Sequence, residues 1–306
     1  MKKKKAFKFA IIGAGMVGTA IGSLLKKAGH QIAAVADLSP EHLKRAKTFI
    51  GAPGFQNPAR AADMAECLLI TTPDDRIESV CAQIVSASSV RGKKVFHMSG
   101  AGDLDLLDSA QLAGAAVASI HPLQSFSSIE SAIQNIPGSY FGVTASKGAK
   151  NISTDIVRDL RGIPLYIKPE QKPLYHAAAC IASNYLVSLM SVVEAIYLSI
   201  GFPEKDARKA YLPLVYGSLK NIEKQGCTGA LTGPIARGDS GTIQKHIEAM
   251  VRHLPDHSSL YANMGMTAVK LARQKGTLNA AQAKDITELL KDVQKLLKGV
   301  QHEYTH

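Results

Sequence analysis

Tryptophan is absent from the 306 residues, aromatic side chains make up 6% of them, and there are only four cysteines. Cys67, Cys81, Cys180 and Cys227 are widely scattered, with no CxxC pair and no zinc-type pattern with histidine. A disulfide framework and a structural metal are therefore not expected; reduced thiols in a cytoplasmic setting are. Acids are outnumbered, 36 Lys plus Arg against 25 Asp plus Glu, for a net charge of +11. Five of those lysines fall within the first eight residues, in a tail ahead of the expected fold. The moderately basic remainder suits anionic substrates and cofactors. Nucleic acid is not an expected partner, because there is no basic stripe interleaved with aromatics and no known reading module. Nor is a membrane: beyond the N-terminal run, no uncharged stretch is read as long enough to span one. The length leaves room for about two domains with a sizeable core, and no internal repeat is visible.

What is present is concentrated from residue 9 onward. Phe9-Ala10-Ile11-Ile12 is an apolar run of strand length, Gly13-Ala14-Gly15-Met16-Val17-Gly18 follows, and Thr19 to Ala28 continues with helical spacing. Gly29-His30 breaks the pattern, Gln31 to Ala36 is a second apolar run, and Asp37 closes it. This is the order of a dinucleotide-binding βαβ unit. Gly13 makes the tight turn, Gly15 lets backbone amides approach a pyrophosphate, and Gly18 permits close packing of helix on strand. The helix start supplies unpaired N–H groups and partial positive charge for phosphates. Lysines ahead of an uncharged run also mimic a signal peptide. This run is longer than a signal core, carries four glycines and ends at Lys26-Lys27, so secretion is not expected.

Further along, Ser39-Pro40 caps a helix through Leu43 to Ile50, Gly51 to Gly54 is a loop, and Asn57-Pro58 starts a short helix. Cys67 to Thr72 is a buried-strand run followed by Pro73-Asp74-Asp75 and a helix from Ile77 to about Ile84. Strands are expected at Lys94–Met98, ending in Ser99-Gly100, and at Ala115–Ile120, ending in His121-Pro122. Tyr140–Thr144, a helix at Ile152–Leu160 and Pro164–Ile167 complete the alternation. Strand and helix repeated this way predict a doubly wound parallel sheet. From Glu170 the strand signals stop, so the domain boundary is placed at Lys168-Pro169, giving residues 1–168 and an all-α domain of residues 169–306. Its helices are expected at Lys172–Ser199, Glu204–Gln225, Thr242–Val251, Ser259–Gln274 and Ala280–Leu297. The first is apolar over most of its surface, which predicts burial on several sides. The last reads as an amphipathic surface helix.

Polar residues recur at successive strand ends, where open α/β sheets bind ligands. Gly13 to Gly18, Asp37, Thr72 and Pro73 are the candidates for a dinucleotide. Asp37 can accept from a ribose 2′-hydroxyl and would repel a 2′-phosphate, which favours NAD over NADP; Ser39 and Lys44-Arg45 leave room for a phosphate. Among the ten histidines, His97 reads as structural and His302 and His306 as tail residues. His121, before Pro122, faces the crevice or caps a loop. Histidine suits proton transfer near neutrality. Ser99 bonds a substrate oxygen or His121, or merely forms a turn. His176, Cys180 and Asn184 recur every four residues and share a broad helix face, whose polar groups need partners. Arg237, in Leu231 to Asp239, clamps a carboxylate or pairs with Asp239.

These residues resemble a bacterial family of Rossmann-like oxidoreductases with a helical C-terminal domain, long of unknown function. GAGMVG, ITTPDD (Ile70–Asp75), HMSGA (His97–Ala101), HPLQSF (His121–Phe126), YHAAACIASNYL (Tyr175–Leu186) and TGPIARGD (Thr232–Asp239) carry the match. The architecture is similar to that of 3-hydroxyisobutyrate dehydrogenases, ketopantoate reductases, pyrroline-5-carboxylate reductases and prephenate dehydrogenases. From prephenate dehydrogenases the resemblance implies substrate-hydroxyl contacts for Ser99 and His121-Pro122. In the hydroxyisobutyrate and ketopantoate enzymes a Lys precedes an Asn by four residues; Asn184 fits the Asn, but Cys180 stands at the Lys position. A ketopantoate-like reduction is the most concrete activity the resemblance implies.

The expected function is hydride transfer between NAD or NADP and a small anionic hydroxy or oxo carboxylic acid. His121, assisted by Ser99, moves the proton; Asn184 and His176 hold the reacting oxygen, and Arg237 the carboxylate. A non-catalytic dinucleotide sensor and a deazaflavin-dependent NADP reductase are the alternatives. The long apolar helix predicts a homodimer.

Overall fold

The computed structural model describes residues 6–303, without the side chains at 294, 296 and 298–303. Lys2–Lys5, His306 and the His302 side chain thus lie outside the described residues. The chain divides into two compact units, Met1–Asn184 and Tyr185–His306.

The first unit begins β1 (Lys8–Ile12), α1 (Met16–Lys27), β2 (Gln31–Ala36), α2 (Pro40–Ile50), β3 (Gly54–Phe55), α3 (Pro58–Asp63), β4 (Cys67–Ile70) and α4 (Asp74–Ala87). It continues β5 (Lys94–His97), α5 (Asp108–Leu112), β6 (Ala116–Pro122), α6 (Ile129–Asn135), β7 (Tyr140–Ala145), α7 (Lys150–Asp159) and β8 (Ile163–Tyr166). The strands form one sheet in the order β3-β2-β1-β4-β5-β6-β7-β8. The apolar runs are continuous because the sheet is covered on both faces. Phe9, Ile11, Leu69, Phe96 and Ile120 pack on one face with Ile21, Ile50 and Ile156. Ala10, Ile12, Leu68, Ile70 and Val95 pack on the other with Ala62, Ile77 and Leu107.

The sheet departs from the all-parallel expectation at one place: β7 runs antiparallel to β6, and β8 is parallel to β7. The residues between them, including α6, let the chain return beside β6 without the crossover that a parallel neighbour requires. Short elements such as β3, α5 and α6 escape the sequence periodicity, since each is too brief to repeat a pattern. The two predicted helix caps are formed. Ser39 Oγ accepts from the His42 amide and Asn57 Oδ1 from the Ala59 amide.

Strands end at Tyr166, close to the predicted boundary, but the compact units divide eighteen residues later, inside the long helix. That helix is α8 (Lys172–Cys180), a π turn (Ile181–Tyr185) and α9 (Leu186–Ser199). Its predicted burial is not found. Among the side chains of α8 only Lys172 is buried, and α9 buries none. Apolar composition records a demand for cover without saying what provides it. The membrane reading is also corrected: no Asp, Glu, Lys or Arg lies between Lys172 and Glu194, and Pro169–Ser199 is long and apolar enough to cross a membrane by length and composition.

The second unit adds α10 (Glu204–Ala230), α11 (Pro234–Arg237), α12 (Ser240–His253), α13 (Pro255–Lys275) and α14 (Ala280–Glu303). α10 is interrupted at Gly226, where φ is 69°, which agrees with a helix ending at Gln225. Ile243 and Ile247 of α12, Val269 of α13 and Ile286, Leu290 and Val293 of α14 form its core. The amphipathic reading of the last helix therefore holds.

One packing constraint fixes the functional edge of the sheet. A Cβ on Gly18 would lie 2.0 Å from the Gly13 carbonyl oxygen and 2.4 Å from Thr71 Oγ1. Gly18→Ala should destabilise the protein by about 1–3 kcal/mol, the usual range for overpacking, read as a lower urea midpoint at unchanged slope.

Candidate functional site

The first half of the site lies where the sheet changes winding direction. β1 is flanked by β2 on one side and β4 on the other, and ligands of doubly wound sheets bind at such a point. Gly13 takes a φ of 102°, and a Cβ there would meet the Thr71 and Thr72 backbone at 2.7–2.8 Å. Gly15 caps α1 with no side chain bonded to the helix amides, and nothing stands within 4 Å of where its Cβ would be. The start of α1 is thus bare backbone facing open space, the condition for binding a phosphate.

A cavity of about 670 Å³ opens there, lined among others by Gly13, Gly15, Met16, Val17, Asp37, Thr72 and Pro73. Two candidates do not line it. Ala14 is buried and its amide donates to Asp37 Oδ2 at 2.6 Å, while Gly18 is the packing contact beneath the turn. Asp37 Oδ1 also accepts from the Ser39 amide at 2.8 Å, and His42 Nδ1 lies 3.3 Å from Oδ2. The carboxylate therefore ties the glycine turn to the end of β2 while remaining on the cavity wall. Neither Lys44 nor Arg45 lines the cavity; His42 and Arg76 do, and the sequence reading passed over both. Thr72 Oγ1 is buried without a hydrogen-bond partner. Bare helix amides, a glycine turn with no room for a side chain and this orphaned hydroxyl fit a dinucleotide.

The second half lies at the ends of β5 and β6. Ser99 Oγ donates to Asp74 Oδ2 at 2.6 Å and accepts from the Gly102 amide at 2.8 Å. It does so as a turn former and has no bond to His121. His121 is still within β6, paired with Gly142 of β7, and is not in the loop after it. Its Nδ1 lies 3.0 Å from the Tyr175 hydroxyl, and its ring meets that of His176 edge-on at 5.8 Å. Gly100 makes room for both histidines: a Cβ would stand 2.3 Å from His176 Cδ2 and 2.9 Å from His121 Nε2.

Beneath them is Lys172, 1% exposed, whose Nζ donates to Ser119 Oγ at 2.8 Å and to the Ser99 carbonyl at 3.3 Å. Burial pushes this ammonium down to about 8, against the pull of Asp103 and Asp74. Sequence reasoning missed Lys172 and Tyr175, since their partners lie 53 and 54 residues away in the chain. The local signal was a lone lysine opening a helix that carries no other charged side chain until Glu194.

The remaining candidates are placed differently. His97 is structural as expected: Nε2 lies 3.0 Å from the Asp103 carbonyl and Nδ1 accepts from the Ser99 amide at 3.1 Å. Cys180 Sγ is 3.9 Å from His176, so these two share a face. Asn184 lies in the π turn and is exposed. Arg237 ends α11 in the second unit; nearby Asp239 caps α12 by accepting from the Thr242 amide at 3.0 Å. Among the described residues no group of histidines, cysteines and acids is arranged to hold a metal ion.

Residues 2–122 match a Rossmann-like domain, and residues 139–268 match a domain of unknown function, DUF2520. The chain is a Rossmann-like domain joined to this second domain. No curated protein matches the sequence. Among solved structures, a Bacteroides fragilis protein provisionally named an NADP oxidoreductase is similar at 18% identity and TM-score 0.71, over 86% of this chain and 98% of the other. A Thermotoga maritima protein matches at 23% identity and TM-score 0.69, over 87% and 99%. The 1-pyrroline-5-carboxylate reductase of Streptococcus pyogenes matches at 17% identity and TM-score 0.59, over 89% and 99%. The fold of this chain is thus one that NAD(P)-dependent reductases use.

Burial lowers both His97 and His121 to about 4, and the Lys172 charge acts in the same direction on each. An unfolded histidine takes up its proton near pH 6.5. Between about pH 6.5 and 4 the unfolded chain therefore binds more protons, and stability falls as pH falls. Unfolding free energies from urea titrations should drop across that window, by on the order of 3 kcal/mol for each ring, and His97→Gln should make the drop shallower.

Proposed function

We propose that this protein is an NAD(P)-dependent oxidoreductase that transfers a hydride between the nicotinamide cofactor and a small hydroxy or oxo carboxylic acid. The observation that carries the reading is one sheet edge with two parts: a dinucleotide cradle at β1 and β4, and a histidine cluster at β5 and β6. β6 lies two strands from β4, roughly 10 Å at ordinary strand spacing, a distance that an extended dinucleotide spans.

Gly13, Gly15, Thr72 and the first amides of α1 hold the phosphates, and Asp37 accepts from the ribose. The cofactor, when bound, supplies the hydride-transfer chemistry. His121 holds or moves the proton at the reacting oxygen, and His176 orients that oxygen beside it. Ser99 and Asp74 set the turn that places Gly100 against both rings. Asp37 at the cavity wall, with Lys44 and Arg45 away from it, favours NAD over NADP.

His121→Ala should lower the rate of hydride transfer by about 100-fold or more, the usual range for a positioned acid or base, with cofactor affinity unchanged. The assay is a panel of small oxo acids, ketopantoate included, with NADH and NADPH. A full rate in the variant refutes the role of His121, and binding of cofactor without turnover across the panel supports a sensor instead. Fluorescence titration of the two reduced cofactors tests the preference, which tighter NADPH binding overturns.

A second copy of the chain is the proposed cover for α9 and α10. Val187 and Leu214 are 70% and 72% exposed, and Leu198, Tyr216 and Leu219 are exposed as well, more apolar surface than a monomer usually shows. α9 also carries Glu194, bonded to Arg208 of α10 at 2.6 Å, a charge pair that suits a protein interface better than lipid. Sedimentation at micromolar protein should give the mass of a dimer; a monomer overturns the assignment.

A further inference from the structure

The residue beside His121 has a place prepared for it. His121 on β6 stands opposite Gly142 on β7. A Cβ on Gly142 would fall 2.7 Å from the Tyr175 hydroxyl oxygen and 2.8 Å from the carbon that bears it. The bare strand position is what lets the phenol lie there, and its hydroxyl then reaches His121 Nδ1 at 3.0 Å. Burial pushes the Tyr175 phenol up, so it keeps its proton, and a backbone hydrogen bond from Gly142 opposes the shift. The phenol then holds a proton that it can donate to a lone pair on His121 Nδ1. The opposite ring nitrogen, Nε2, lies on the Gly100 side, where His176 also sits.

We propose that Tyr175 is a positioning residue that fixes His121 in the tautomer protonated on Nε2, so that the site presents an N–H to the reacting oxygen. The proposal rests on the functional reading above, in which His121 serves hydride transfer. A carbonyl oxygen that gains charge as hydride arrives needs a donor. With the proton on Nδ1, Nε2 would offer it a lone pair instead. The groups acting on His121 charge are His176 and Lys172 from α8, His97 from β5 and Asp74 from α4. Burial and the three bases all disfavour the imidazolium, and only Asp74 favours it. A neutral ring has two tautomers to choose between, and Tyr175 makes the choice.

Ring-nitrogen NMR of the full chain labelled at histidine tests this at pH 7, with the His121 signals identified by their loss in His121→Gln. The expected result is an unprotonated, hydrogen-bonded Nδ1 and a protonated Nε2. Tyr175→Phe should give a mixture of tautomers and lower kcat about tenfold, leaving cofactor affinity unchanged. Gly142→Ala keeps the phenol but displaces it, and should do the same if Tyr175→Phe does not fold. A protonated Nδ1 in the wild-type protein overturns the proposal. So does a Tyr175→Phe or Gly142→Ala variant that keeps both the wild-type tautomer and the wild-type kcat. If no substrate is reduced by the wild-type protein, the functional reading fails, while the spectra still decide the tautomer.

Discussion

The sheet edge depends on one close approach, that of α1 to the ends of β1 and β4 at Gly18. With no side chain there, the helix lies against the Gly13 carbonyl and the Thr71 hydroxyl, which itself donates to that carbonyl at 2.7 Å. Three elements are thereby locked around a turn whose first glycine has the positive φ that other residues avoid. Asp37 completes the lock from β2 by accepting the Ala14 amide. The helix amides that remain bare are then aimed by rigid neighbours, which a phosphate site on a loop alone would lack.

A second constraint acts two strands away, where charge has been taken out of water. A buried ammonium is costly unless its hydrogen bonds are made. Lys172 makes two, to Ser119 and to the Ser99 carbonyl, and the carboxylates of Asp74 and Asp103 offset its charge. Burial, with the Lys172 charge acting in the same direction, holds His97 and His121 neutral. The bonds that stabilise Lys172 also fix the Ser99-Gly100 turn, so the packing of the two histidines and the burial of the lysine are a single problem.

How much of this could be read from the chain alone follows from the range of each interaction. The glycine turn, the strand before it and Asp37 lie within 29 residues (9–37) and obey local rules, so their places in the fold were legible. So were the buried strands β4 and β5, whose apolar runs betray cover on both faces. The reversal at β7 was not, because period-2 patterns carry no direction. The Asp74 partner of Ser99 and the roles of Tyr175 and Lys172 were hidden as well. Each is decided by partners 25 to 73 residues away, and a serine or tyrosine has a dozen ordinary reasons to be polar. The π turn escaped because the sequence around Asn184 continues a helical pattern across it.

Lysine chemistry can be weighed against the same geometry. In the enzymes the sequence resembles, a lysine stands four residues before the asparagine, where this chain has Cys180. Lys172 is two turns earlier on the same helix, roughly 12 Å along its axis. It returns a cation to the sheet edge, but a cation engaged below the turn by Ser119 and Ser99 and almost wholly buried. Such a group can set the field of a site without meeting a substrate. Burial keeps the imidazole of His121 at the strand end from becoming a second cation, with the His176 and Lys172 charges acting in the same direction. In the proposed reaction, a charge that supports the site and a neutral ring that serves it would divide the work of a single exposed lysine.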